Sequence, residues 1–174
     1  MATYTLISSN VLASSAASVT FSSIPATYTD LVLRMSVRTN AGSNTDSIEI
    51  TFNGDTSSNY STRVLYGSGS GGAGADQYAN NVPSRVWYGA TGNTATANTF
   101  GSAEVYIPNY LVSQNKQTGN VGMAETNAAA ALMAATASLW RNTAAITTIL
   151  LDPLDGSASF QIGSSFYLYG ISNA

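Results

Sequence analysis

The sequence predicts an all-β protein: an antiparallel β-sandwich, jelly-roll-like, in a single domain. Three observations predict it. Apolar and polar residues alternate with period two in one segment after another, most clearly over residues 30–38. There Leu31, Leu33, Met35 and Val37 oppose Arg34, Ser36 and Arg38. Turn signals recur every ~8 to ~15 residues, the spacing of sandwiches and barrels. Finally, charged residues make up only 9% of the chain while apolar residues reach 44%. Ser, Thr, Asn and Gly supply the remaining polarity, which suits sheets with neutral polar faces. Such faces repel copies of themselves weakly, so self-association is expected.

Taken in order, residues 4–7 are β-prone, and Leu6 and Ile7 favour docking. We expect 1–16 to be an N-terminal segment, an edge strand or an arm reaching onto a neighbour, ahead of a sandwich domain over 17–174. Residues 17–24 place Val19 and Phe21 on one face, and Pro25 ends the ladder because it cannot donate. After 30–38, residues 39–45 (T-N-A-G-S-N-T) form a loop. Residues 46–53 alternate again, with Ile48, Ile50 and Phe52 against Glu49 and Thr51. Asn53-Gly54-Asp55 is then a hairpin signal, with 60–66 as the partner strand.

The run G-S-G-S-G-G-A-G over 67–74 is a flexible loop. It is no phosphate cradle, since no Lys follows it and no strand-to-helix context surrounds it. Residues 85–88 form a short strand and 89–98 a loop. Residues 100–107 set Ala103, Val105 and Ile107 against Ser102, Glu104 and Tyr106, and Pro108 stops the strand. Residues 112–119 read as a polar connection carrying Lys116, the only lysine.

Residues 128–140 begin with four alanines, which suits a short helix by propensity. Met133, Ala135, Ala137 and Leu139 nevertheless form a period-two face opposite Thr136, Ser138 and Trp140. We read a strand from about residue 130, with the helix as alternative. Its small alanines would let a facing sheet or a neighbouring subunit approach closely. Strands at 146–151, 159–162 and 166–171 complete roughly nine to eleven.

Composition excludes several functions. With net charge −3 and six Lys and Arg, no basic stripe is available to neutralise phosphates, so no nucleic-acid partner is expected. No segment approaches the ~18 apolar residues of a membrane helix, and no membrane partner is expected. The N-terminal M-A-T-Y-T-L-I-S-S lacks the features of a signal peptide, so no export signal is expected. Cysteine is absent, which fits assembly in a reducing cytoplasm. Histidine is absent too, which removes the usual general base and the commonest zinc ligand.

The remaining chemistry is sparse. Glu49, Glu104 and Glu125 lie on expected strands, but nothing fixes the mutual distance a glycosidase pair needs, and solvated sheet faces explain them better. Asp46, Asp152 and Asp155 do not match an EF-hand, and Asp152-Pro-Leu-Asp155-Gly156 reads as a capped turn. We therefore expect no enzyme, metal or cofactor. Ten tyrosines and two tryptophans, several near loops, suit sheet packing, an interface or a carbohydrate platform. Arg34 and Arg38, two of few cations, suit either exposed pairing or a subunit contact. The expected interface residues are Tyr4, Leu6, Arg34, Arg38, Trp87 and Tyr88.

Five motifs in order carry a resemblance: S-I-P-A-T-Y-T-D-L-V-L-R (23–34), I-T-F-N-G-D (50–55) with Asn59-Tyr60, Y-I-P-N-Y (106–110), W-R-N-T-A-A-I-T (140–147) and G-S-S-F-Y-L-Y-G-I (163–171). Together they resemble a group of small β-sandwich structural proteins of tailed bacteriophages. The resemblance implies a virion component made in many copies. We expect a capsid decoration or cement protein on the outer surface of the head, assembled in the host cytoplasm. Its expected partners are the major capsid protein and itself, as a homotrimer. The alternative is a tail-fibre or receptor-binding module recognising host glycan.

Overall fold

The computed structural model describes residues 3–68, 72–81, 83–127 and 130–172. They form twelve strands: β1 (Thr3–Val11), β2 (Val19–Phe21), β3 (Asp30–Val37), β4 (Thr45–Phe52), β5 (Tyr60–Ser68), β6 (Ala73–Asn81), β7 (Ser84–Thr91), β8 (Gly101–Ile107), β9 (Lys116–Glu125), β10 (Ala131–Trp140), β11 (Ile149–Pro153) and β12 (Ser165–Ser172). No helix occurs among the described residues. Two antiparallel sheets pack together, of eight strands (β1-β12-β3-β8-β9-β10-β5-β6) and four (β2-β11-β4-β7). The fold is thus the expected antiparallel sandwich, with sheets of unequal width.

Alternation sets the inward side. Leu31, Leu33, Met35 and Val37 of β3, with Ala103, Val105 and Ile107 of β8, all point inward. They meet Ile48, Ile50 and Phe52 of β4 and Ile149 and Leu151 of β11 in one core. Trp140, Tyr60 and Phe52 close one end, with Trp140 stacked on Tyr60 at 6.3 Å between ring centres. The sheets approach closely where glycine lines the inner side. A Cβ on Gly122 of β9 would lie 2.0 Å from the Trp87 carbonyl oxygen of β7. Only glycine fits there.

Four expectations need correction. Asn53-Gly54 does make a left-handed turn (φ 52° and 67°), but β4 and β5 are not a hairpin. The turn is a corner that carries the chain into the other sheet. Asp55 holds it by accepting hydrogen bonds from Trp140 Nε1 (2.8 Å), Asn59 Nδ2 (3.0 Å) and the Ser57 amide (3.0 Å). Residues 116–119, expected as a connection, begin β9. The polar segment 73–81, expected as loop through 74 and given no element beyond it, forms β6, an edge strand that alternation does not mark because it lacks a core-facing apolar row. Ser159–Ile162 is not a strand. Phe160 instead makes isolated bridges to Ala16 and Thr39.

The 128–140 ambiguity resolves as strand from Ala131; residues 128–129 lie outside the described residues, as do 69–71 of the expected glycine-rich loop. The N-terminal segment runs antiparallel along β12 as the sheet's edge strand, with eight of its nine residues exposed.

Candidate binding face

The eight-stranded sheet has one face on the core and the other uncovered. Because directly opposed residues share a face, the register assembles that outer face row by row. One row runs from Leu6 through Tyr169 and Val32 to Tyr106, then through Gly119 and Ala137 to Arg63 and Gln77. The next opposes Tyr167, Arg34 and Glu104 to Val121, Ala135 and Leu65. A third brings Met123 beside Met133.

The two halves of this face differ. Over β9, β10 and β5 the floor is Gly119, Ala135 and Ala137, and nothing would lie within 4 Å of a Cβ on Gly119. Leu65, Met123 and Met133 stand exposed around it. The floor holds two adjoining depressions of about 480 and 510 Å³, both reaching Arg63, Gly119 and Ala137. Tyr106 and Pro108 wall the first on one side and Gln77 on the other. Arg63 donates to Gln77 Oε1, so its charge meets a neutral amide.

Over β1, β12, β3 and β8 the face projects. Tyr4 and Leu6 are 55% and 51% exposed. Tyr4 meets Tyr169 edge-on at 6.4 Å, and the Arg34 guanidinium sits 5.8 Å from the Tyr4 ring centre. Arg34 also pairs with Glu104 at 2.9 Å. Both partners are about half exposed, so this pair adds at most ~1 kcal/mol to stability. The Tyr106 hydroxyl donates to Asp30 Oδ2 at 2.9 Å, a bond that raises its pKa and fixes the ring against the sheet.

The six expected interface residues therefore separate into three groups. Tyr4, Leu6 and Arg34 gather on the outer face. Arg38 does not flank Arg34, because β3 ends at Val37 and Arg38 bridges to Thr91 of the other sheet. Its guanidinium instead donates to four loop carbonyls, Thr96 (2.9 Å), Thr99 (3.0 Å), Ala95 (3.2 Å) and Asn93 (3.4 Å). Glu125 accepts from Thr96 N (2.7 Å) and Thr99 Oγ1 (3.1 Å) of the same loop.

Trp87 and Tyr88 lie on a bulge of β7, with Tyr88 at φ 54°. Such backbone is strained for a bulky residue and re-aims the side chains around it. Trp87 stacks on Tyr78 (5.3 Å) and Tyr88 meets Tyr66 edge-on (6.0 Å), bridging β7 to the edge of the wide sheet. Arg85 lies 5.3 Å from the Tyr78 ring centre and 5.8 Å from that of Trp87.

The carboxylates are structural in their surroundings. Glu49 and Glu104 stand on different sheets. Glu49 is half-buried, pairs with Arg85 at 3.2 Å and lies opposite Asp152. Burial raises the pKa of both acids. Asp46 is buried, accepts from Thr39 Oγ1 (3.0 Å) and Ser47 N (2.8 Å), and is also raised by burial. Asp155 caps its turn through Ser157. Among the described residues no group of three or more acidic side chains could hold a metal.

Sequence reasoning had flagged the alanine face of β10 but missed Arg63, Gln77 and Gly119. They join it only through register, which no local pattern reveals. No protein-family model, curated protein or solved structure matches the chain.

Proposed function

We propose that this chain is a structural component of a tailed-phage particle, present in many copies, that decorates the outer surface of the head and clamps adjacent capsomers. The observation that carries the reading is the outer face of the eight-stranded sheet. It is broad, low in charge, and presents apolar side chains where a free-standing sandwich presents polar ones. The motif resemblance supports the same class, and we read the sandwich as jelly-roll-like because two sheets dispose of this many strands in one domain.

A ligand that binds only the assembled shell stabilises it by mass action. A homotrimer that contacts the major capsid protein at several points gains avidity without tighter individual contacts. No catalytic step enters this reading.

Counting copies in purified particles tests it. Hundreds of copies, with the head losing heat tolerance when the protein is missing, are expected. A count near a dozen would remove the cement assignment. Adsorption blocked by the isolated protein would move it to the tail-fibre alternative, for which the Tyr106 wall and the Arg63 and Gln77 rim are the suitable groups.

A further inference from the structure

We infer that the trough over β9 and β10 holds an extended peptide segment of a partner protein, with a carboxylate at the Arg63 end and apolar side chains along the rest. This rests on the structural-component reading and adds the chemistry and orientation of what that face takes.

Charge places the acid. Arg63 is exposed, and its guanidinium donates to the neutral Gln77 amide. Arg141 continues the outward row of β10 past Leu139. Its guanidinium reaches back to Ser61 Oγ (2.9 Å) and donates also to Asn80 Oδ1 (2.9 Å) and the Ser58 carbonyl (2.6 Å), again neutral acceptors. Ser61 lines the first depression, one row of about 6.8 Å from Arg63. Neither depression has an aspartate or glutamate in its lining. In a chain with nine acidic and six basic residues, two guanidiniums thus border one cleft without a carboxylate. Each keeps N–H groups in the fork that matches a carboxylate. Toward the other end Glu104 lies opposite Val121, and Arg34 matches it. An incoming acid is therefore drawn to the Arg63 end and repelled from the other.

The trough changes character along its length. Past Gly119 and Ala137, the outward side chains lining the second depression are Leu65, Val121 and Ala135. Met123 and Met133 stand exposed one row further on. A saccharide laid there would set hydroxyls against carbon and leave their hydrogen bonds unmade. A peptide meets the change, because alternate side chains of an extended chain share one side. An acidic residue at Arg63 is followed, at alternate positions, by apolar ones over Leu65, Val121 and the methionines. Gln77 and Gln117 offer rim amides to its backbone.

Size agrees. From Gln117 to Met123 the trough follows β9 for roughly 20 Å, the length of about six extended residues. Three strand pairings separate Tyr106 from Arg63, or roughly 14 Å, which leaves room for one chain between the two walls.

Selection of a displayed random hexapeptide library against the purified full chain tests the inference, followed by fluorescence anisotropy of the selected peptide. Selected peptides should carry one acidic residue followed at alternate positions by apolar ones. Arg63→Gln should weaken binding about tenfold, the loss of a charge-assisted hydrogen bond. Leu65→Ser should weaken it several-fold, and Tyr4→Ser, outside the trough, should leave it unchanged. Raising salt from ~50 to ~500 mM should weaken the wild type more than Arg63→Gln. Should Arg63→Gln fail to fold, exchanging the peptide's acid for its amide makes the same test on the wild-type protein. A selection without acidic enrichment, or an affinity indifferent to Arg63→Gln and to the acid-to-amide exchange, overturns the inference. So does polygalacturonate bound through Arg63 by a chain that selects no peptide. Acid-bearing peptides selected by a protein missing from the particle would overturn the decoration reading alone; hundreds of copies per particle with no peptide selected would overturn the inference alone.

Discussion

Replacing Asp55 by alanine removes the acceptor that holds the corner between the two sheets. In the native chain one carboxylate oxygen accepts from Trp140 Nε1 and Asn59 Nδ2, and the other accepts the Ser57 amide. Trp140 is almost wholly buried, so its indole N–H has no water to turn to. A stranded buried donor costs about 1–3 kcal/mol, and the lost Asn59 bond about 1 kcal/mol more. The expected destabilisation is thus about 2–4 kcal/mol, or roughly 4–16 °C in Tm for a domain of this size.

Urea unfolding followed by tryptophan fluorescence measures it, since Trp140 stacks on Tyr60 within the region affected. A loss below about 0.5 kcal/mol would refute the assignment of Asp55 as keystone. Acid supplies a second arm. Hydrogen bonds from Asn59 and Trp140, in that order with burial opposing between them, hold the Asp55 carboxyl well below the usual range. Its stabilisation is therefore present above the unfolded carboxyl pKa near 3.8 and is lost as pH falls further. Asp46, Glu49 and Asp152 act in the opposite sense, because burial raises them and protonation relieves that cost. Stability should hold or rise slightly from pH 7 to about 5, then fall below about 4. Asp55→Asn should flatten the acid limb; an unchanged limb would count against this account.

Three further outcomes are expected. Lys116 is wholly buried, and its Nζ donates to the Val112 and Gln114 carbonyls (both 2.7 Å) and to Thr143 (3.4 Å). Lys116→Met should cost about 2–4 kcal/mol in chemical unfolding by leaving those carbonyls unpaired, and an amine-reactive ester should spare Lys116 in the native protein, as peptide mapping would show. Gly122→Ala should destabilise by at least ~2 kcal/mol, because its Cβ would force β7 and β9 apart; a variant that melts like wild type would show that the sheets can part there freely. Arg38→Ala should open the 93–99 loop to limited proteolysis several-fold faster while moving global Tm by only a few degrees, since the bonds lost all belong to that loop.

Alternation was a faithful guide wherever one apolar row met one polar row. β3, β8 and β12 fall where the pattern puts them, because each buries a full row against the second sheet. It failed for β6, whose A-G-A-D-Q-Y-A-N-N buries little, and for β9, where Lys116, Thr118 and Asn120 occupy inward positions usually held by aliphatic residues. Glycine and asparagine at 53–54 correctly signal a tight turn, but a turn does not state which strand follows it. Here the tertiary bonds of Asp55 send β5 to the other sheet. At the candidate face, the alanines of β10 and the exposed pair Tyr4 and Leu6 were visible locally. Arg63 and Gln77 were not, since three strand pairings separate Arg63, and four Gln77, from Tyr106.

The orientation of β10 decides what the outer face presents. The strand presents Met133, Ala135 and Ala137 outward and buries Thr136 and Ser138, the reverse of what water alone would select. Its phase is set by Leu132, Ala134 and Trp140, which share the inner side. The buried hydroxyls form a polar seam against β7. Asn120 Nδ2 donates to the Arg85 carbonyl (3.0 Å) and to Ser138 Oγ (3.3 Å), and Thr62 Oγ1 lies 3.3 Å from Ser138 Oγ. Thr118 Oγ1, Thr136 Oγ1 and Ser84 Oγ have no hydrogen-bond partner among the described residues. Each such group costs on the order of 1–3 kcal/mol. Turning the strand over would free Thr136 and Ser138 to solvent, yet it would expose Trp140 and set Met133 against the close contact that Gly122 makes with β7. Packing at that contact therefore outweighs hydration of two hydroxyls. The consequence is an outer strip of Met, Ala and Gly whose apolar surface gains stability only when something other than water lies against it.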